Sequence, residues 1–138
     1  MAQLVMPFLV QTFMLRAPAL INSGSSVSIS SLGSTYNPVL AGGTLVLNAG
    51  NSSSTSISVT SAGGVIQSPT SGSATLSGAL TGSGALTFTG TGTTVLTGNN
   101  TFSGGTTVSS GTLQGDTTSL QGVITNNSTV NQQRYVSF

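Results

Sequence analysis

Side chains able to do acid–base or nucleophilic chemistry are nearly absent from this sequence. Among its 138 residues only Arg16, Asp116 and Arg134 are charged, and histidine, lysine and cysteine do not occur. General acid–base catalysis needs titratable groups close together, and Asp116 is the only side-chain carboxylate. A serine or threonine nucleophile needs an activating base, which the composition does not supply. We therefore expect a protein that is not an enzyme, with Asp116 as a turn residue after Gly115.

Binding sites for cofactors, metals and nucleic acids find equally little support. The glycine pairs Gly82/Gly84 and Gly90/Gly92 are spaced as in part of a phosphate-binding loop, but the helix and lysine of such a loop are missing. Metal coordination needs clustered ligands. The net charge of +1, from two arginines far apart in sequence, provides no basic face for a phosphate backbone. We expect no cofactor, no metal and no nucleic-acid partner.

The segments that form the scaffold are short runs of β-branched and leucine residues, which recur roughly every ten residues from Ile21 onward. They show no helical period, and Gly, Asn and Ser separate them. The predicted strands cover residues 26–30, 44–48, 56–60, 64–67, 74–80, 85–90, 93–98, 106–113, 120–126 and 134–138. An all-β fold follows from this pattern.

Two architectures suit strands of this length, an antiparallel sandwich and a coiled solenoid. The dipeptides Asn-Gly and Asp-Gly, typical of tight hairpins, do not occur. Instead GNN, SGG and SAGG separate the runs, as expected where the backbone turns a corner in a left-handed conformation and enters the next strand. Disorder is the competing interpretation for a Gly/Ser/Thr-rich chain, and the regular recurrence of leucine and β-branched residues opposes it. These features favour the solenoid.

The most regular pattern lies within residues 82–116. Glycine pairs flank a leucine-containing strand, and Leu-x-Gly-x-Asn-x-Phe-x-Gly-x-Thr follows, then a small-residue turn and Gly-x-Leu. The positions are Gly90, Gly92, Leu96, Gly98, Asn100, Phe102, Gly104, Thr106, Gly111 and Leu113. Over about a quarter of the chain, this pattern resembles the passenger-associated transport repeat of autotransporter proteins. The resemblance implies a right-handed parallel β-helix on the outer surface of a Gram-negative bacterium.

The residues of this pattern can also be assigned physical roles. Successive coils of a parallel solenoid lie about 4.8 Å apart, so inward residues stack on their equivalents above and below. We expect Val95, Leu96, Val108 and Leu113 to point inward. A coil of roughly twenty residues gives about six levels after Ile21.

The remaining residues of the pattern are expected at corners. Gly98, Gly104 and Gly111 would stand where a Cβ clashes or where φ is positive. Asn99 and Asn100 are placed to bond along the stack as an amide ladder. Phe102 is expected to fill the core beneath a corner.

The first twenty residues differ from the rest. An apolar run from Leu4 to Leu15 is too short and broken for a membrane span. No positive charge precedes it, as a signal peptide requires. We expect residues 1–20 to be a retained cap or donated strand, with an export signal as the alternative, and residues 21–138 to form the solenoid.

The near absence of charge, 2% of residues, favours association between copies. The two ends of a solenoid present unpaired N–H and C=O groups, which charge or proline would otherwise protect. The predicted assembly interface comprises Leu4, Val5, Phe8, Leu9, Phe13, Leu15, Tyr135, Val136 and Phe138. The sequence thus predicts an extracellular structural subunit that self-assembles end to end into fibres or a surface matrix. Its predicted partners are further copies of the same chain, in a homo-oligomer or homopolymer.

Two other roles remain open. A monomeric passenger fragment would act as an adhesin or stalk at a host or matrix surface; carbohydrate binding would require an aromatic platform, and Tyr36, Phe102 and Tyr135 are scattered. Ice binding would require aligned Thr-x-Thr pairs, and those at Thr87/Thr89 and Thr91/Thr93 do not recur along the sequence.

Overall fold

The computed structural model describes residues 19–29 and 37–132, which wind into a parallel β-solenoid of about five coils. Neither of these two ranges contains a helix. In chain order the strands are β1 (Leu20–Asn22), β2 (Ser26–Ile29), β3 (Val39–Ala41), β4 (Thr44–Leu47), β5 (Ser52–Ser53), β6 (Ile57–Val59), β7 (Gly64–Gln67), β8 (Ser73–Leu76), β9 (Leu80–Gly82), β10 (Leu86–Thr89), β11 (Thr93–Leu96), β12 (Thr106–Val108), β13 (Thr112–Gly115), β14 (Ile124–Asn126) and β15 (Thr129–Gln132).

These strands form three parallel sheets, one on each side of the coil. Sheet A has the order β1-β3-β6-β9, sheet B the order β2-β4-β7-β10-β12-β14, and sheet C the order β5-β8-β11-β13-β15. Each strand pairs with strands one coil away, since Leu86 has Gly64 and Thr106 as its Cα partners. These partners stand 22 and 20 residues from Leu86. The expected coil length of about twenty residues is confirmed. The described residues form about five coils rather than the expected six, although sheet B contains six strands.

The hydrophobic core is a narrow column enclosed by the three sheets. Because side chains alternate along a strand, each short strand contributes only one or two inward residues. The buried hydrophobic residues are Ile21, Leu40, Leu45, Leu47, Ile57, Val59, Ile66, Ala74, Leu76, Leu80, Leu86, Phe88, Leu96, Phe102, Val108 and Leu113. Full burial of one such leucine or isoleucine contributes roughly 1.5–3 kcal/mol, so stability accumulates coil by coil.

One inward assignment is wrong. Val95 and Leu96 were both expected to face the core, but β11 buries Thr94 and Leu96 and leaves Val95 half-exposed on the outer face. Neighbouring residues in a strand point to opposite faces, so only one of the pair can be inward. Leu96, Val108 and Leu113 are buried as expected.

The predicted strands agree with the observed ones except where a corner interrupts a run. The predicted run 74–80 covers the end of β8 and the first residue of β9, and the predicted run 106–113 covers β12 and the first half of β13. Four strands were not predicted: β1, β3, β5 and β15. The shortest, β5, consists of two serines, and its pairing with Thr75 and Leu76 of β8 places it in sheet C.

Close contact between coils should make two corner glycines irreplaceable. A Cβ at Gly98 would overlap the carbonyl oxygen of Gly78, and one at Gly104 would overlap the backbone of Gly84. We expect Gly98→Ala and Gly104→Ala each to cost about 1–3 kcal/mol or more, measured as a fall in the urea midpoint. Gly50→Ala measures the separate cost of a left-handed φ, because Gly50 has φ of +77° but nothing within 4 Å of a built Cβ. Gly98 and Gly104 do not have a left-handed φ, so losses below about 1 kcal/mol in their alanine variants would show that backbone crowding does not constrain these corners.

Candidate functional site

The corner between β11 and β12 is built around the side chain of Asn100. This residue is 2% exposed. Its Oδ1 accepts a hydrogen bond from the Leu80 backbone N–H at 2.8 Å, and its Nδ2 donates to the Ser119 carbonyl at 2.7 Å. Leu80 begins β9 one coil earlier, and Ser119 lies one coil later. A single amide therefore links three successive coils.

Asparagine suits this position because its side chain carries a donor and an acceptor together. An aspartate would lack the donor, and an aliphatic residue would lack both. The backbone reinforces the link, since Thr101 and Phe102 both donate their N–H groups to the Leu80 carbonyl, at 2.9 and 3.2 Å. The corner is consequently held by side chain and main chain at once.

Asn99 and Asn100 were both expected to bond along the stack, and Asn100 does so through the coils before and after it. Asn100 is buried, whereas Asn99 is exposed at the same corner. The partners of Asn100 are backbone groups rather than stacked amides. Of the two neighbouring asparagines, only Asn100 is thus an internal link.

The other residues of the repeat lie at corners or inward positions. Phe102 is 2% exposed and belongs to the core cluster, as expected, so it offers no surface platform for a sugar. Gly90 and Gly111 have φ of 106° and 72°, in the left-handed region, at the corner between sheets B and C. Gly92, Gly98 and Gly104 approach the backbone of the preceding coil too closely for a Cβ. Leu96, Thr106 and Leu113 are buried. The repeat therefore specifies the winding of the coil rather than an outward surface.

Asp116 organises the loop that supplies Ser119. Its Oδ1 accepts hydrogen bonds from the Thr118 hydroxyl at 2.8 Å and from the backbone N–H groups of Ser119 and Thr118 at 2.9 and 3.0 Å. These bonds, the one from the Thr118 hydroxyl foremost, lower the pKa of Asp116 from 3.8 to about 2. The expected role as a turn residue is confirmed, and the loop places the carbonyl to which Asn100 donates.

The outer faces of sheets B and C carry threonines in register. In sheet B Thr87 pairs with Thr107, which pairs with Thr125. In sheet C Thr93, Thr112 and Thr129 align in the same way. The Thr87/Thr89 pair, however, faces Val65 and Gln67 of the preceding coil, so Thr-x-Thr pairs do not recur across that step.

Other candidate sites can be assessed only within the described ranges. There, no three His, Cys, Asp or Glu side chains come together as metal ligands. The same part of the chain contains no helix long and apolar enough to cross a membrane. All the predicted assembly residues, with Tyr36 and the predicted strand 134–138, lie outside the described residues, as does the segment 1–20 apart from Ala19 and Leu20.

Comparison with known families identifies the same region. Residues 86–114 match the family model of the passenger-associated-transport-repeat. The match begins at the first residue of β10, contains the Asn100 corner and reaches into β13. It confirms the resemblance noted from the sequence. No curated protein and no solved structure gives a significant match.

Replacement of Asn100 tests whether its amide holds the coils together. Asn100→Leu keeps a similar shape but leaves the Leu80 N–H and the Ser119 carbonyl without their partner, at roughly 1–3 kcal/mol for each buried group. We expect a lower urea midpoint and faster hydrogen exchange at the Leu80 amide. Asn99→Leu, at an exposed position, should shift stability by less than about 0.5 kcal/mol. Unchanged exchange at Leu80 in Asn100→Leu would contradict the link.

Acid should weaken the Asp116 loop in a defined pH window. The folded pKa of about 2 lies below the unfolded value of 3.8, so the contribution is fully present above the unfolded pKa and is lost as pH falls through the folded pKa. We expect stability to decrease between about pH 4 and pH 2. Asp116→Asn should flatten this dependence in urea titrations. An equally steep dependence in Asp116→Asn would assign it to another group, such as the terminal carboxyl.

Proposed function

We propose that this protein is a non-enzymatic structural subunit of the autotransporter passenger type, which extends by stacking end to end with further copies. The passenger repeat and the β-solenoid together support the coarser role, structural or adhesin-like. The single observation that carries the finer role is that parallel sheets end in uncharged strands. In sheet B these are β2 and β14, and in sheet C the strand is β15.

Edge strands of natural sheets are usually protected by charge, proline or bulges. The strands SVSI, ITN and TVNQ, which form β2, β14 and β15, contain no charged residue and no proline. Within these strands, no charged side chain repels the N–H and C=O groups of another copy. This supports association along the solenoid axis.

Sheet polarity favours a head-to-tail arrangement. All pairs in sheet B are parallel. A copy that continues the same order brings its β2 beside β14 of the preceding copy. A head-to-tail contact of this kind gives a ring if the rotation between successive copies closes. Otherwise it gives an open filament, which is the arrangement that we propose.

The location we propose is outside the cell, at the surface of a Gram-negative bacterium. The passenger-associated repeat supports it, because such repeats belong to secreted or surface-exposed parts of autotransporters. A surface of hydroxyl and amide groups with little charge is suited to a structural matrix. The alternative role is a single-chain stalk or adhesin, which the same repeat and fold support equally.

The deciding experiment is negative-stain electron microscopy of the purified chain over a concentration series, with sedimentation velocity alongside. We expect filaments in the micrographs. X-ray fibre diffraction of these filaments should show a strand repeat of about 4.8 Å along the axis. Deletion of residues 1–16 should abolish the filaments if the N-terminal segment donates a strand. A monomer at every concentration would contradict self-assembly and favour the single-chain stalk.

A further inference from the structure

The last described coil, formed by β14 and β15, differs from the others on its inward face. Strand register identifies that face, because paired residues of a parallel sheet point to the same side. Asn126 pairs with the fully buried Val108. Gln132 pairs with the buried Gly115. Two amide residues thus occupy positions aligned with the core.

The contrast with the preceding coils is sharp in sheet B. Leu45, Ile66, Phe88 and Val108 form one inward column through paired residues, and all are 0–2% exposed. Asn126 continues this column and is exposed. The last coil also has two apolar residues in inward positions, Ile124 and Val130, and both are partly buried. Its inward face is therefore half apolar and half amide.

Asn100 indicates what an inward amide requires. Both of its polar groups bond to backbone, one in the coil before and one in the coil after. Asn126 bonds locally instead, since its Oδ1 accepts the N–H of Ser128 in its own coil at 3.0 Å. A copy stacked on this coil would remove the amide N–H groups from water, which is unfavourable unless a new acceptor meets them.

We propose that Asn126 and Gln132 form a polar stop that weakens the docking of a second copy on the last described coil. The occupant is a second copy because its first coil would continue the interface that already joins the coils. Val27 of that copy occupies the same inward column, since Val27 pairs with Leu45. Asn126 would then lie between two valines, Val108 and the incoming Val27. Ile124 and Val130 supply attraction, and the two amides keep association reversible.

The inference rests on the proposed self-assembly and is tested by two matched double variants. Asn126→Val with Gln132→Val removes both inward amides, whereas Thr125→Val with Asn131→Val adds valines on the outer face of the same strands. Sedimentation velocity gives the concentration at which half of the protein is associated. We expect the inward variant to lower it at least about tenfold, the factor that corresponds to about 1.4 kcal/mol. The outward variant should change it less than about threefold.

Circular dichroism and urea midpoints of both variants establish that the solenoid is intact. Asn126→Val alone serves as the test variant if the inward double variant does not fold.

An unchanged or weaker association of the inward variant would overturn the polar stop. A weaker association would mean that Asn126 bridges copies as Asn100 bridges coils. If the unaltered protein forms filaments in that case, the proposed function stands without the stop. If only the inward variant associates, the stop is supported and self-assembly of the natural chain is not. If neither associates, both proposals fail.

Discussion

Parallel hydrogen bonding holds successive coils about 4.8 Å apart, and this spacing constrains every residue that the coils bring into register. A side chain that points inward must fit its equivalents above and below, so the core is a column of leucine, isoleucine and valine with little aromatic volume. Where the backbone of one coil crosses close to the next, as at Gly98 and Gly104, no Cβ can be accommodated. The glycine-rich composition is therefore a consequence of packing between coils.

The corner after β11 shows how neighbouring coils stay in contact where the strand pairing of sheet A ends. Sheet A ends at β9, and the chain passes beside β9 without forming a further strand of that sheet. Phe102 fills the space that opens there, while Asn100 supplies the hydrogen bonds that a strand would have made. Ser119, the partner on the far side, belongs to the loop that Asp116 organises. The single charged side chain within the described residues thus supports the same corner, because its carboxylate holds the loop that places Ser119.

A structure of this kind stabilises itself through contacts between neighbouring coils only. Each interior coil has a partner on both sides, whereas a terminal coil has one. The properties of the ends, rather than of the interior, therefore decide whether the molecule remains a single rod or grows. In the assembly that we propose, the uncharged edge strands would favour growth, and the amides on the inward face of the last described coil would oppose it.

Local residue patterns were sufficient to predict the coil of about twenty residues, most of the strands and the burial of Phe102, because glycine spacing, β-branched runs and the repeat motif are properties of the chain itself. They did not determine which of Val95 and Leu96 faces the core, since the parity of a strand depends on where the preceding corner ends. They also gave no signal for β5, whose two serines become a strand only because β8 offers them partners. The bonds of Asn100 to Leu80 and Ser119, and the inward place of Asn126, join residues 18 to 20 positions apart. Only the stacking of one coil on another brings such residues together, because register is a property of the paired strands and not of either strand alone.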